Sequence, residues 1–143
     1  MSTIKWEAPE SIATALSTEL NALANATMSS ASGAIDNATD KYLMMDVELY
    51  ADWDVAPSAG GYVAVYLLPT LDGTNYADSH QDYAPHWLAA VPVRALTTVQ
   101  RIIVRDLPVP PYSFKLAAYN GAGQAMSASG HTLKYRRHNG AVV

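Results

Sequence analysis

The chain has no cysteine among its 143 residues. That absence excludes disulfides, zinc–thiolate centres, iron–sulfur clusters and cysteine nucleophiles, and it favours a protein matured in a reducing cytoplasm. Charged residues are also scarce, at 15% of the chain, whereas soluble domains average about 25%. A surface of small, weakly charged residues suits burial in a larger assembly, although an ordinary neutral domain can have the same composition.

Long apolar runs are missing as well. No stretch of the sequence approaches the roughly 20 apolar residues that cross a bilayer, and the first residues, MSTIKWEAPE, carry charges where a secretory signal has its apolar core. We therefore expect a protein made in the cytoplasm that has no membrane partner. A chain of this length is expected to form one domain over residues 1–143 and to bury about two-thirds of its unfolded surface.

The sequence does contain regular alternation. From Lys41 onward, short apolar runs are separated by Gly, Pro, Asp and Asn. In the run KYLMMDVELYADW, every second residue from Leu43 to Ala51 is apolar, as in a strand with one face on a core. The pattern predicts an all-β fold, an antiparallel β-sandwich of about eight strands of the jelly-roll type.

The two ends of the chain have different patterns. Residues 1–8 are predicted to form an extended arm, and residues 140–143 a short C-terminal tail that is loose or lies on a neighbour. Between them and the strands, helical spacing with Pro9 in the first turn predicts one short N-terminal helix over about 10–24. The residues that define this spacing are Ile12, Leu16, Leu20 and Leu23. Such a helix would cap one end of the sandwich or bind a partner.

Charge is distributed unevenly along the sequence. Between Asp36 and Asp82 there are nine acidic residues and one base, and after Tyr83 there are seven bases and one acid. Opposite charges would meet if strands from the two halves pair in one sheet. Alternatively, the molecule would have one acidic and one basic face, which would suit docking between subunits.

No pattern in the sequence defines a catalytic centre. The paired carboxylates Asp46/Glu48 and Asp52/Asp54 lack a surrounding motif, so solvated strand faces explain them better than glycosidase chemistry. A Ser-His-Asp triad is possible from composition, but there is no G-x-S-x-G elbow, and no phosphate-binding glycine motif occurs. The sequence therefore predicts that the protein is not an enzyme and has no cofactor.

Two further kinds of ligand have weak signals. His80 and Asp82 lie in the long 70–85 loop, His86 directly follows it, and all three offer metal-ligating atoms, but no third imidazole is near, and we predict no metal site. The basic run from Lys134 to His138 could contact nucleic acid. Because the net charge is −4, we expect no direct nucleic-acid binding and a subunit interface there instead.

Aromatic residues leave one more possibility open. Trp53, Trp87 and nine tyrosines could stack on sugar rings, and aromatic side chains equally fill sandwich cores and interfaces.

Two long segments resemble small virion proteins of tailed bacteriophages. They are SAGGYVAVYLLPTLDGTNYAD and LPVPPYSFKLAAYNGAGQAMSASGHTLKYRRHN. The first matches a strand ending in a Y-L-L-P-x-x-D-G-T-x-Y turn, and the second a P-P-x-x-F-K-L strand, an A-x-S-G-x-T-L-K strand and an R-R-x-N ending. The matching positions are Tyr66 to Pro69, Asp72 to Thr74, Tyr76, Pro110 to Leu116, Ala128 to Lys134, and Arg136 to Asn139. Residues 18–24 are also similar.

The resemblance implies a jelly-roll capsid cement, or decoration, protein. Such a subunit binds the outer surface of an icosahedral phage capsid and bridges neighbouring major capsid proteins, so its expected location is the capsid exterior of a virion made in the bacterial host cytoplasm. A tail or head–tail joint protein, or a carbohydrate-binding module on the virion surface, is the alternative. We also expect self-association as a homodimer or homotrimer.

Contacts with these partners are expected from the arm, the long loop and the basic end of the chain. The predicted interface residues are Ile4, Trp6, Asp72, Tyr76, His80, Tyr83, Arg136 and Arg137.

Overall fold

The computed structural model describes residues 2–142, which form ten strands and two short 3₁₀ turns. The strands are β1 (Ile4–Trp6), β2 (Ala13–Leu16), β3 (Thr27–Met28), β4 (Met44–Ala51), β5 (Tyr62–Pro69), β6 (Trp87–Pro92), β7 (Gln100–Pro108), β8 (Phe114–Gly121), β9 (Thr132–His138) and β10 (Gly140–Val142). The 3₁₀ turns are Thr18–Leu20 and Ala84–His86. None of the helical segments in this part of the chain is long and apolar enough to cross a membrane.

The strands form two four-stranded sheets and one ribbon. The first sheet has the order β2-β9-β4-β7 and the second the order β3-β8-β5-β6, while β1 and β10 pair with each other. All pairings are antiparallel. The predicted all-β antiparallel sandwich is therefore confirmed.

The core lies between the two sheets. Along β4, residues alternate between half-buried and buried, which confirms the expected inward side from Met45 to Ala51. The expectation is wrong for Leu43, which precedes the strand and is 63% exposed. Because successive side chains of a strand point to opposite faces, this strand contributes one face to the core and one to the surface. Its inward side chains pack with those of the second sheet and with Trp53. This core includes Met45, Val47, Leu49, Trp53, Val63, Val65, Phe114, Leu116 and Leu133.

The outer face of the second sheet is covered by the chain itself. Ala64, Tyr66 and Leu68 form a separate buried cluster, against which Ala77 packs from the long loop. The Tyr66 hydroxyl donates to the Gln81 carbonyl at 3.1 Å. The 70–85 loop is therefore packed on its own domain along this part of its length.

The predicted helix over 10–24 is wrong. That segment contains β2, which pairs with β9, and the 3₁₀ turn at Thr18–Leu20. Leu16 and Leu20 are fully buried, as the pattern requires, but Ile12 is 66% exposed. A strand followed by a tight turn can bury Leu16 and Leu20 in the core, just as a helix with the same spacing would. The ladder offered by β9 outweighs the helix propensity of this Ala- and Leu-containing segment, because tertiary context routinely overrides intrinsic propensity.

The N-terminal arm and the C-terminal tail lie on each other. Ile4 is opposite Val142 and Trp6 is opposite Gly140, and the Glu7 amide donates to the Asn139 carbonyl at 3.0 Å. The extended conformation expected for the arm is confirmed over β1, whereas the expectation of a loose tail is wrong for residues 140–142. Met1 and Val143 lie outside the described residues. We call β1 and β10 the terminal ribbon.

The acidic and basic halves of the chain meet in the first sheet. The acidic strand β4 lies between β7 and β9, which carry the bases. Glu48 pairs with Arg101 at 3.1 Å, and Asp46 with Arg136 at 3.4 Å. The prediction that opposite charges meet across strands is confirmed for this sheet.

The Arg137 guanidinium donates four hydrogen bonds inside the fold. Its Nε and Nη2 donate to the two Glu10 carboxylate oxygens at 2.8 and 2.7 Å, and its Nη1 donates to the Asp36 carbonyl and to Asn37 Oδ1. The Tyr42 ring lies 4.9 Å from the guanidinium carbon. The hydrogen bonds that Arg137 donates to Glu10 raise the pKa of Arg137 against the opposing effect of burial. One cation thus joins β9 to the segment before β2 and to the 36–42 turn.

We expect Arg137→Ala to lower the free energy of unfolding by about 3–5 kcal/mol, because removing one partner of a buried ion pair leaves the other charge uncompensated. The measurement is urea denaturation followed by tryptophan fluorescence. Arg101→Ala, which removes an exposed partner of Glu48, is the matched control and should cost less than about 1 kcal/mol. Equal losses in the two variants would contradict the role given to Arg137.

Candidate functional site

The predicted interface residues occupy three regions. Ile4 and Trp6 lie on the terminal ribbon and are 79% and 69% exposed. Arg136 lies on the outer face of the first sheet and lines the same cleft as Trp6. The remaining exposed candidates lie along the long loop, so the structure does not gather the predicted set into a single site.

Arg137 is the exception, because it is only 6% exposed. Its guanidinium is engaged inside the chain, so the structure gives it a fold-stabilising position in place of the surface position that we expected. The partner contact predicted for Arg137 stays a prediction that this arrangement does not favour.

Trp6 is held by a polar cluster that the sequence did not reveal. The indole lies edge-on to the His138 ring at a centroid distance of 5.3 Å. His138 Nε2 donates to Asp46 Oδ1 at 3.1 Å and lies 3.4 Å from Asp106 Oδ1. The three polar residues come from β4, β7 and β9, so only the strand register brings them together.

A β-bulge places Asp106 in this cluster. Pairing between β4 and β7 shifts between Met45 and Val47, so that β7 has one extra residue there. Asp106 has a positive φ of 59°, and its amide donates to Asp46 Oδ1 at 3.1 Å. Bulges re-aim side chains at the edges of sheets, and here the bulge brings a second carboxylate to the imidazole.

Asp46, Asp106 and His138 are also the one group of three metal-ligating side chains in residues 2–142, with ligand atoms within 4.8 Å of one another. Oxygen and imidazole donors suit several divalent cations. However, Asp46 already accepts hydrogen bonds from Asp106 N, Arg136 and His138. The cluster therefore satisfies its own charges, and its contact with Trp6 indicates that it fixes the terminal ribbon.

Protonation of Asp46 makes the stability of this cluster depend on pH. Partial burial by itself raises the pKa of Asp46, but hydrogen bonds from the Asp106 amide, His138 and Arg136, with the charge of His138, outweigh it and lower the pKa below 3.8. A lowered folded-state pKa contributes stability above the unfolded value, and that contribution is lost as the pH falls through the folded value.

We therefore expect Asp46→Asn to reduce the free energy of unfolding at pH 7 by about 1.5–3 kcal/mol, as for hydrogen bonds to a charged group. The difference from the natural protein should shrink as the pH falls below 3.8. Denaturant titrations at pH 7, 4 and 3 measure it, and Asp54→Asn in an exposed loop is the control. A difference that stays constant across these pH values would contradict the assignment.

The tip of the long loop is a rigid turn. Asp72 Oδ1 accepts hydrogen bonds from the Asn75 and Thr74 amides at 2.7 and 2.8 Å, and Asp72 Oδ2 accepts one from Asn75 Nδ2 at 2.7 Å. The bonds from Asn75 and Thr74 hold the pKa of Asp72 far below its usual value. Close by, Lys115 Nζ lies 4.6 Å from the centre of the Tyr76 ring.

The other predicted loop residues form an aromatic row. His80 and Tyr83 have ring centroids 5.4 Å apart, and Tyr83 and His86 are 6.1 Å apart. His80 Nδ1 lies 3.5 Å from Asp82 Oδ2. Within residues 2–142, the side chains of His80, Asp82 and His86 do not form a group that could hold a metal ion together.

A cleft of about 380 Å³ lies beside this row. Trp87 and Tyr112 line it and are 51% and 39% exposed. Proline rings form much of the remaining wall, which includes Pro69, Pro85, Pro108 and Pro110. The cleft is thus a stiff, largely apolar surface with two exposed aromatic rings.

The fold brings together a serine, a histidine and an aspartate. His131 Nε2 lies 2.8 Å from the Ser127 carbonyl oxygen and 3.3 Å from the Ser127 hydroxyl oxygen, and His131 Nδ1 accepts the Asp52 amide at 3.4 Å. The Ser127 hydroxyl donates to the Asp52 carboxylate. In a catalytic triad the serine hydroxyl instead donates to the imidazole. The trio fastens the 126–130 loop to the end of β4.

No family model matches this sequence, and no curated protein matches it. Among solved structures, one similar chain is the CBM36-1 domain of a multidomain xylanase from the hindgut metagenome of Trinervitermes trinervoides, with 11% identity, 100% of both chains covered and a TM-score of 0.45. Another is CBM32-1 from a family 31 glycoside hydrolase from Clostridium perfringens, with 17% identity, 96% of this chain and 94% of that chain covered, and a TM-score of 0.30. At such low similarity, neither identifies a function for this chain.

Proposed function

We propose that this chain is a structural virion protein that binds the outer surface of an icosahedral phage capsid and bridges neighbouring major capsid proteins. The observation that carries the proposal is the terminal ribbon, which presents Ile4 and Trp6 at 79% and 69% exposure. Large exposed apolar side chains that lie close together indicate an interaction surface. The resemblance of the sequence to phage virion proteins supports the same role.

The strand order supports a jelly roll within this proposal. The first of the eight sandwich strands pairs with the last, β3 with β8, β4 with β7, and β5 with β6. This nested pairing is what results when one long antiparallel hairpin is rolled into two sheets. Jelly rolls occur in viral capsid proteins and in lectins.

The terminal ribbon suits attachment to another protein in two ways. Its side chains offer apolar contact area, and each of its strands has an edge unpaired in residues 2–142 to which a partner strand could add. The ribbon is anchored by the contact of Trp6 with His138 and by the Glu7 amide bond to Asn139. An anchored ribbon loses less conformational freedom on binding than a free arm would.

A protein with this role needs no catalytic centre. If it binds the assembled lattice better than free capsid subunits, it stabilises the lattice by mass action. Many copies that each bridge two neighbours reinforce one another through multivalency.

We expect the double variant Ile4→Ser/Trp6→Ala to bind expanded capsids at least about tenfold more weakly, because burying each apolar side chain contributes about 1.5–3 kcal/mol. Deletion of residues 1–7 should act in the same way, since it retains Glu10, the partner of Arg137. Co-sedimentation with capsids measures binding, and circular dichroism checks folding. Leu96→Ser, which alters a partly exposed apolar residue outside the ribbon, is the control. Undiminished capsid binding by the folded double variant would rule out the terminal ribbon as the attachment site.

Copy number tests the location. Quantitative mass spectrometry of purified particles should give hundreds of copies that scale with the major capsid protein. About a dozen copies would instead favour the tail or the head–tail joint, and absence from the particles would refute the virion role.

The cleft at Trp87 favours a second candidate, a carbohydrate-binding module on the virion surface. Exposed aromatic rings can stack on sugar faces, and Trp87 and Tyr112 both border this cleft. Trp53, which the sequence offered as an alternative, is 1% exposed and cannot present its ring to a glycan.

If this second candidate holds, Trp87→Ala should abolish the signal on a glycan array while the melting curve stays unchanged. Trp6→Ala, which alters an exposed tryptophan away from the cleft, is the matched control and should keep the signal. An array that stays blank with the natural protein removes this candidate.

A further inference from the structure

The outer face of the first sheet has a shallow groove of about 330 Å³. Its apolar part is formed by Ile12 beside β2 and Ile103 on β7. Ile12 and Ile103 are 66% and 56% exposed. Two large aliphatic side chains that face solvent across a groove leave apolar area that a partner can cover.

The rim of this groove is cationic. Side-chain exposure is 60% for Arg101 but 22% for its partner Glu48, and 42% for Arg136 but 14% for Asp46. The carboxylates therefore lie low against the sheet, and the guanidinium groups reach the solvent. Arg105, also on the rim, forms no ion pair among residues 2–142. We call this surface, with its apolar part and its rim, the basic groove.

The long loop has the complementary properties. Leu71 is fully exposed and directly precedes Asp72, whose hydrogen bonds to Thr74 and Asn75 fix the turn. Residues 71–83 contain Asp72, Asp78 and Asp82, all exposed, and no lysine or arginine. We call this segment the acidic knob. It presents one apolar side chain on a pre-ordered turn, which lowers the entropic cost of binding.

We propose that the acidic knob of one copy of this protein docks into the basic groove of a second copy. Leu71 would cover Ile12 and Ile103, and the knob carboxylates would face Arg101, Arg105 and Arg136. Because the two patches differ, the contact is heterologous, and repeating it generates a ring if the rotation closes and an open filament if it does not. This self-association does not depend on the capsid role proposed above.

A second copy fits this groove better than a nucleic acid does. The apolar part between Ile12 and Ile103 matches an exposed leucine but offers nothing to a phosphate backbone, whose binding depends on neutralisation by basic residues. The complementary charges, by contrast, are both present in this chain.

The test uses two variants that each remove one half of the contact, Leu71→Asp in the knob and Ile103→Asp in the groove. Sedimentation velocity over a concentration series should show the natural protein as an oligomer and each variant as a monomer. We expect self-dissociation constants at least about tenfold higher, because each substitution takes one large aliphatic side chain out of the buried apolar surface. Leu96→Asp, an equal charge change at a partly exposed leucine, is the control and should associate normally.

Mixing the two variants separates this contact from a symmetric one. The Leu71→Asp copy keeps its groove and the Ile103→Asp copy keeps its knob, so a one-to-one mixture should form a dimer that cannot grow further. Raising the salt concentration should weaken this dimer, because the exposed charges are then screened. Melting curves check that both variants fold.

Several outcomes would overturn the proposal. They are a natural protein that stays monomeric at every concentration, a Leu71→Asp variant that still associates, and a mixture that gives only monomers.

Binding of a short DNA duplex that Ile103→Asp abolishes, without self-association, would reassign the groove to nucleic acid. Loss of capsid binding by Ile103→Asp when the natural protein is monomeric would reassign it to the capsid. Failure of the ribbon variants to affect capsid binding would leave the self-association result unchanged.

Discussion

The buried charge of Arg137 is the constraint on which the rest of the arrangement depends. A guanidinium at 6% exposure requires compensation, and Glu10 supplies it through two hydrogen bonds. This pair ties the segment before β2 to β9, while Asp36 and Asn37 attach the turn that leads into β4. The next residue, His138, then holds Asp46 and contacts Trp6. Burial of one cation therefore sets where the N-terminal segment lies, and with it the position of the exposed ribbon.

Local alternation made much of the sandwich predictable. The period of two in β4 depends only on which residues are apolar, and the structure places those residues in the core. Residues 10–24 were harder, because Leu16 and Leu20 suit a helix and equally suit a strand followed by a turn. The hydrogen-bonded pairing with β9 makes this segment a strand, and a local sequence pattern holds no information about that pairing. Tertiary pairing can override helix propensity in this way.

The candidate sites depended on contacts between residues distant in sequence. Ile4 and Trp6 could be proposed as contact residues from their place in an extended arm, but the cluster beneath Trp6 requires three strands in register and a bulge at Asp106. A bulge changes which face a residue points to, so a period-two reading of β7 cannot locate that carboxylate. Arg137 was misplaced for a related reason. A run of basic residues is typical of an exposed surface. Arg137 is buried because it pairs with Glu10, which is distant in the sequence.

The exposed edges of the first sheet offer little for association, which directs attention to side-chain surfaces. β7 forms one edge, and it carries Arg101, Arg105, a bulge and a terminal proline, all of which oppose pairing with another strand. The outer face of the second sheet is already covered by the chain's own loop. The surfaces left for partners include the terminal ribbon, the cleft at Trp87, the basic groove and the acidic knob. Each is held by contacts inside the domain, so a rigid sandwich can face a lattice and its own copies with different regions at once.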